Sequence, residues 1–177
     1  MRLFIAVNFT EEVKNKILEV QNRLRSIVQN SNNRGNFTRP ENLHITLAFL
    51  GETPEVKLPE LLEIINRIPT PALEITFNRT GYFRRYNSEL WWIGASPDDN
   101  DLYVLALIQK KLLRDLQKAG FHVDAKPFKA HITIARDIKH NQNDIILDCP
   151  DIVIPVDRLS LMKSERIQGV LTYTIVG

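Results

Sequence analysis

His-Ile-Thr-Leu-Ala at 44–48 and His-Ile-Thr-Ile-Ala at 131–135 are near-copies of one pentapeptide in a chain with four histidines. Each alternates a polar residue with a large apolar one, which is the two-residue period of a β-strand. The spacing therefore predicts His44, Thr46 and Ala48 on one face and Ile45, Leu47 and Phe49 on the other. His131, Thr133 and Ala135 stand the same way against Ile132 and Ile134. A strand that buries its isoleucine face and turns imidazole and hydroxyl outward is a rigid mounting for chemistry. One His-x-Thr alone is an ordinary strand or surface feature, but two at matched positions point to a shared task.

The repetition extends outward from the pentapeptides. The apolar run 3–7 begins 41 positions before His44, and the run 90–94 begins 41 positions before His131. Each interval contains a helical pattern, so the chain reads strand, helix, His strand, twice over. An internal pseudo-two-fold relating halves 1–87 and 88–177 would bring the histidines to equivalent places on either side of one groove. Neither half looks self-sufficient, and a single bilobal domain over 1–177 is expected.

Thr10 is a suitable N-cap, Glu11 and Glu12 suit the positive end of a helix, and Val13, Ile17, Val20, Leu24 and Ile27 mark one apolar face to about residue 29. A further helix is expected over 55–67, with Pro59 an irregularity inside it. Another follows Asp98, Asp99 and Asp101, with Leu102, Leu105, Leu112 and Leu116 as its buried stripe and Gly120 as its stop. Strands are expected at 2–8, 72–79, 88–96, 152–163 and 170–176, with a turn containing Gly81 and Asn87 and a hairpin around Gln168 and Gly169. The sum is an α+β fold with mostly antiparallel sheet and no Rossmann-type glycine fingerprint.

The net charge of +2, from 23 Lys and Arg against 21 Asp and Glu, is too small to mark a nucleic-acid binder by global field. Placement says more: Arg34 and Arg39 precede the first His strand, Arg79, Arg84 and Arg85 cluster near a turn, and Lys126, Lys129, Arg136 and Lys139 flank the second. As a set they favour an anionic ligand. No apolar stretch is long enough to span a membrane or serve as a signal peptide, and Cys149 is the sole cysteine, so a cytoplasmic setting is expected.

Two facing histidines, with unperturbed pKa values near 6.5, can divide labour: a neutral imidazole takes a proton from water while an imidazolium gives one to a leaving oxygen. Thr46, Thr133 and a cation such as Arg136 could bind the non-bridging oxygens of a phosphodiester between them. This arrangement needs no metal or cofactor. Neither motif has a second ligand at zinc spacing, and no Gly-x-Ser-x-Gly elbow is present. His122 and His140 read as loop or surface residues.

The two His-x-Thr motifs resemble those of the 2H phosphoesterase superfamily. Their context, Arg-Leu-Phe-Ile-Ala-Val at 2–7, Arg-Pro-Glu-Asn-Leu-His-Ile-Thr-Leu-Ala-Phe-Leu-Gly at 39–51, Gly-Tyr-Phe at 81–83 and Pro-Phe-Lys-Ala-His-Ile-Thr-Ile-Ala-Arg at 127–136, is similar to its LigT-like RNA 2′,3′-cyclic phosphodiesterases, once described as 2′-5′ RNA ligases. The resemblance implies a bilobal duplicated fold whose two mostly antiparallel sheets line a central groove, with helices outside. It implies metal-independent hydrolysis of an RNA terminal 2′,3′-cyclic phosphate to a 2′-phosphomonoester, with His44 as proton donor, His131 as proton acceptor and Arg136 assisting phosphate binding. Strict alternation would put Arg136 on the face opposite His131, so that role requires the strand to end or twist. Phe37 stands where such proteins often have Trp, and Ala130 where they often have Pro. A 2′-5′ ligase or 2′-5′ phosphodiesterase using the same site and a non-catalytic RNA-binding module are the alternatives. The expected partner is RNA, and the expected state is a monomer.

Overall fold

The computed structural model describes residues 1–31, 33–124, 126–139 and 145–177; the expectation for His140 lies outside them. In chain order the elements are β1 (Arg2–Asn8), α1 (Glu11–Asn30), β2 (Asn36–Phe37), β3 (His44–Glu52), α2 (Leu58–Asn66), β4 (Leu73–Arg85), β5 (Ser88–Ala95), α3 (Asn100–Lys118), β6 (His131–Ile138), β7 (Ile152–Val156), β8 (Ser160–Ile167) and β9 (Val170–Ile175).

α1 begins where its caps predict: Thr10 Oγ accepts from the Val13 N–H, and Glu11 and Glu12 occupy the first turn. Its buried face is Val13, Ile17, Val20, Gln21, Leu24 and Val28, with Ile27 at the margin. α3 starts on the Asp99 carboxylate, which accepts from the N–H groups of Asp101 and Leu102, and it buries Leu105, Ile108, Gln109, Leu112 and Leu116. Pro59 breaks nothing. It lies in the first turn of α2, where its missing N–H has no partner to lose, and residues 55–57 form a separate 3₁₀ turn before it.

The strands form a continuous antiparallel sheet in the order β7-β4-β5-β6-β3-β1-β8-β9, with β2 alongside β6. It divides into two leaves, β7-β4-β5-β6 and β3-β1-β8-β9, joined where Ile45 of β3 pairs with Ile132 of β6. Each leaf draws on both halves of the sequence. β4 pairs with β5, and β8 crosses back to pair with β1. The strand expected at 152–163 is therefore two strands in different leaves, β7 against β4 and β8 against β1, because the chain leaves one sheet edge at Val156 and joins the other at Ser160.

Gly81 also departs from expectation, lying inside β4 rather than in a turn. A Cβ there would stand 2.4 Å from Cζ2 of Trp92, so glycine is needed for the indole to lie across the strand. The actual turn is Tyr86–Asn87. The helices cover one side of the sheet, α1 against β6 and β7, α3 against β3 and β4, and α2 against β8. Between helices and sheet lies one core, which includes Ile5, Ile17, Leu24, Ile45, Ile75, Leu105 and Ile132. Among the described residues no helix is long and apolar enough to cross a membrane.

Candidate active site

Register at the boundary between the leaves fixes the central residues. Ile45 and Ile132 both point into the core, so their neighbours in sequence point to the opposite face. Extending the antiparallel pairing by one residue sets His44 beside Thr133 and Thr46 beside His131. The motifs thus form a crossed quartet on one face. Each histidine strand pairs on its outer side with the early strand of its repeat. Asn8 partners His44 and Gly94 partners His131, so the pairing of the two repeats differs by one residue from the 87-residue offset of the motifs.

Beyond the threonines, alternation breaks in both strands. Ala6 pairs with Thr46 but Ile5 with Ala48, leaving Leu47 as an extra residue; Trp92 pairs with Thr133 but Trp91 with Ala135, leaving Ile134 extra. These are β-bulges, and each turns the side chains that follow it to the other face, up to a second register shift further along each strand. Ala48 and Ala135, expected beside the histidines, are buried in the core. Phe49, expected in the core, is 57% exposed in the groove. Arg136 comes to the same face as His131, so the twist its expected role requires is the bulge at Ile134. Phe49 and Arg136 each lie five positions after a motif histidine, so the two repeats place an aromatic ring and a cation in matching positions.

His44, Thr46, His131, Thr133 and Arg136 line one groove of about 1220 Å³ between the leaves. Its walls carry seven Arg and Lys side chains against three Asp and Glu, a balance that attracts an anion. Aromatic rings back both histidines. Phe4 and Tyr173 lie 4.9 and 5.3 Å from the His44 ring, and Phe83 lies edge-on to His131 at 5.5 Å. Sequence reading missed these rings, because only tertiary pairing shows that β4 and β9 reach the site. Phe37, by contrast, packs against the core under the Arg25 guanidinium.

The two imidazoles are held alike. His44 Nδ1 is 2.7 Å from the Asn42 carbonyl, and His131 Nδ1 is 2.7 Å from the Lys129 carbonyl. A carbonyl only accepts, so both rings carry hydrogen on Nδ1, and Nε2 is the atom left for chemistry. His44 Nε2 is 2.9 Å from Thr46 Oγ1. Burial pushes His44 down to about 4, with the charges of Arg136 and His131 adding and the Asn42 carbonyl opposing. Burial likewise lowers His131, helped by Arg136 and Lys129. Burial and the neighbouring cations thus favour the neutral form of both rings near pH 7.

Of the other candidates, Arg85, Lys126 and Lys129 line the groove, whereas His122 and Arg84 lie outside it. His122 is an exposed loop residue, and Arg84 pairs with Glu89 on the face of β4 away from the site. Burial raises the Cys149 thiol to about 11, which leaves it unreactive near neutrality.

A buried α+β scaffold with duplicated imidazoles over a cationic groove is the setting of a phosphoester-cleaving enzyme, and comparison with known proteins gives that class. Residues 7–92 and 100–172 match the family model described as LigT like Phosphoesterase. The chain belongs to the LigT-like phosphoesterase family, within the 2H group of hydrolases. It is 33% identical over 175 residues to the RNA 2′,3′-cyclic phosphodiesterase of Thermotoga maritima, covering 93% of this chain and 87% of that one. With the enzyme of the same name from Archaeoglobus fulgidus it shares 32% identity over 142 residues, 80% of this chain and 75% of that one. Its fold is that of a crystal structure described as a phosphoesterase, with a TM-score of 0.81 at 25% identity over 99% of this chain and 95% of that one. Escherichia coli LigT in apo form superposes with a TM-score of 0.80 at 24% identity over 99% of this chain and 94% of that one.

Proposed function

We propose that this enzyme hydrolyses the 2′,3′-cyclic phosphate at an RNA terminus to a 2′-phosphomonoester, with His131 as general base and His44 as general acid. The observation that carries this reading is the matched anchoring of the two rings, each giving its Nδ1–H to a backbone carbonyl two residues upstream. His131 Nε2 takes a proton from water as the water oxygen attacks phosphorus. The bond from phosphorus to O3′ breaks, and O3′ receives the proton from His44 Nε2. Each transfer contributes roughly 10²- to 10⁴-fold. Arg136 and Thr133 hold the non-bridging oxygens.

His44 must be charged to act, and the bound phosphate supplies the condition. Its negative charge opposes the burial and the cationic neighbours that favour the neutral ring. Protonation then changes the partner. A neutral Nε2 accepts from the Thr46 hydroxyl, whereas a charged one donates to it and frees the hydroxyl hydrogen for a phosphate oxygen. The half-buried Tyr173 ring beside His44 offers a surface on which the terminal base can stack. In this reading the whole chain is one bilobal unit that acts as a cytoplasmic monomer on RNA. Relatives named RNA 2′,3′-cyclic phosphodiesterases and an Escherichia coli LigT structure described as a complex with 3′-AMP support the substrate class.

Incubation in excess EDTA with oligonucleotides ending in 2′,3′-cyclic phosphate, and separately with 2′-5′-linked oligomers, tests this. The expected product is a 2′-phosphate end from the first, at an undiminished rate, and none from His44→Ala or His131→Ala. Cleavage of the second substrate alone would transfer the same histidines to a different linkage.

A further inference from the structure

Two glutamines occupy positions where the buried stripes of α1 and α3 otherwise carry apolar side chains. Gln21 is 1% exposed and Gln109 is 7% exposed. A buried amide is costly unless its N–H groups find acceptors. Both find the same kind of acceptor. Gln21 Nε2 donates to the Ile134 carbonyl at 2.8 Å, and Gln109 Nε2 donates to the Leu47 carbonyl at 3.1 Å. Ile134 and Leu47 are the extra residues of the bulges that directly follow the motif threonines, one in each repeat. Gln21 also donates to the Thr38 carbonyl at 2.7 Å, while the Thr38 N–H donates to Ile134 at 2.9 Å, so the segment after β2 is closed over the bulge in β6.

We infer that Gln21 and Gln109 are positioning residues of the active site, each holding the bulge that returns the fifth residue after a histidine, Arg136 or Phe49, to the groove. This rests on the function proposed above. A bulged and a regular strand differ by a one-residue slip that exchanges the two faces. In the regular form Ala135 would face the groove and Arg136 would face α1, away from the phosphate. The amide favours the bulged form because its N–H is directed at the carbonyl of the extra residue, a buried hydrogen bond that an apolar side chain could not make and that at Ile134 adds to the one from the Thr38 N–H. The pairing occurs twice at matching places. The same device therefore serves a cation in one repeat and an aromatic ring in the other.

Gln21→Met keeps shape and removes the donor. Its kcat/KM on a cyclic-phosphate oligonucleotide is expected to fall about 10-fold through KM, as a displaced phosphate ligand would cause. In the double variant with Arg136→Ala the loss should not exceed that of Arg136→Ala alone, since both changes remove one guanidinium contact. Gln109→Met should instead multiply with Arg136→Ala. Gln21→Asn, with the same expected pattern, serves if Gln21→Met does not fold. Titration with inorganic phosphate, followed through the ¹⁵N signal of Arg136 Nε–H, reads placement without turnover, and the shift seen in the wild type should vanish in Gln21→Met. Multiplicative losses in the Gln21→Met and Arg136→Ala pair, or a retained phosphate shift, would overturn the inference. A lowered melting temperature with unchanged kcat/KM would assign Gln21 a structural role only and also overturn it. A wild type that does not hydrolyse the cyclic phosphate defeats the proposed function separately, leaving the phosphate titration to decide the role of Gln21.

Discussion

Ile45 of β3 and Ile132 of β6 face each other in antiparallel register, and this contact joins the two leaves at the centre of the site. Both side chains are fully buried, one residue from His44 and one from His131. The packing that closes the sheet therefore also sets the spacing of the two imidazoles.

Ile132→Ala should cost about 2 to 5 kcal/mol, the transfer term plus a cavity between leaves that cannot collapse independently. Urea unfolding measures it. Ile132→Val should cost about 0.5 to 1.5 kcal/mol and leave kcat nearly intact.

The pH dependence follows from the lowered histidines. In the free enzyme both His44 and His131 titrate below their ordinary value, so the maximum of kcat/KM is expected on the acid side of 6.5, with a limb falling towards neutral pH. The bound phosphate raises His44, so the profile of kcat should lie at higher pH than that of kcat/KM. A kcat/KM that rises steadily to pH 9 would remove His44 as the acid.

Stability responds to the same group. The folded His44, at about 4, binds its proton less readily than the unfolded one near 6.5, so the unfolded state carries more protons between these values and stability rises with pH there. Its contribution is complete above pH 6.5 and is lost as pH falls towards 4, on the order of 3 kcal/mol at most. His44→Asn should flatten that part of a urea-midpoint profile measured from pH 4 to 7.

Thr46→Val and Thr133→Val delete hydroxyls with different surroundings. Each should cost about 1 to 3 kcal/mol in kcat/KM if it serves the phosphate. Thr46→Val should also shift the His44 titration seen by NMR, because Thr46 bonds its Nε2.

Gly81→Ala should move the Trp92 indole, which lies where the new methyl would go, and change near-ultraviolet circular dichroism. Tyr86→Gly should act the other way. Tyr86 is fully exposed with φ of 48° in a two-residue hairpin turn, so glycine should stabilise the hairpin by about 1 kcal/mol in thermal melts.

Local pattern was enough for much of this molecule. The two-residue period at 44–47 and 131–134 marks the strands and puts imidazole and hydroxyl on one face, and the caps at Thr10 and Asp99 mark two helices, because each signal lies within a few bonds of its effect. Alternation fails after Thr46 and Thr133. A bulge is visible only against the partner strand, and the donors that reach these two, Gln21 and Gln109, lie 113 and 62 residues away from the carbonyls they bind. Tertiary structure alone decided that β8 returns to β1, that Phe83 and Tyr173 back the histidines, and that Phe49 and Arg136 face the groove. Strand pairing is a long-range choice made by burial of whole faces, and no short window of sequence contains the face against which a strand will pack.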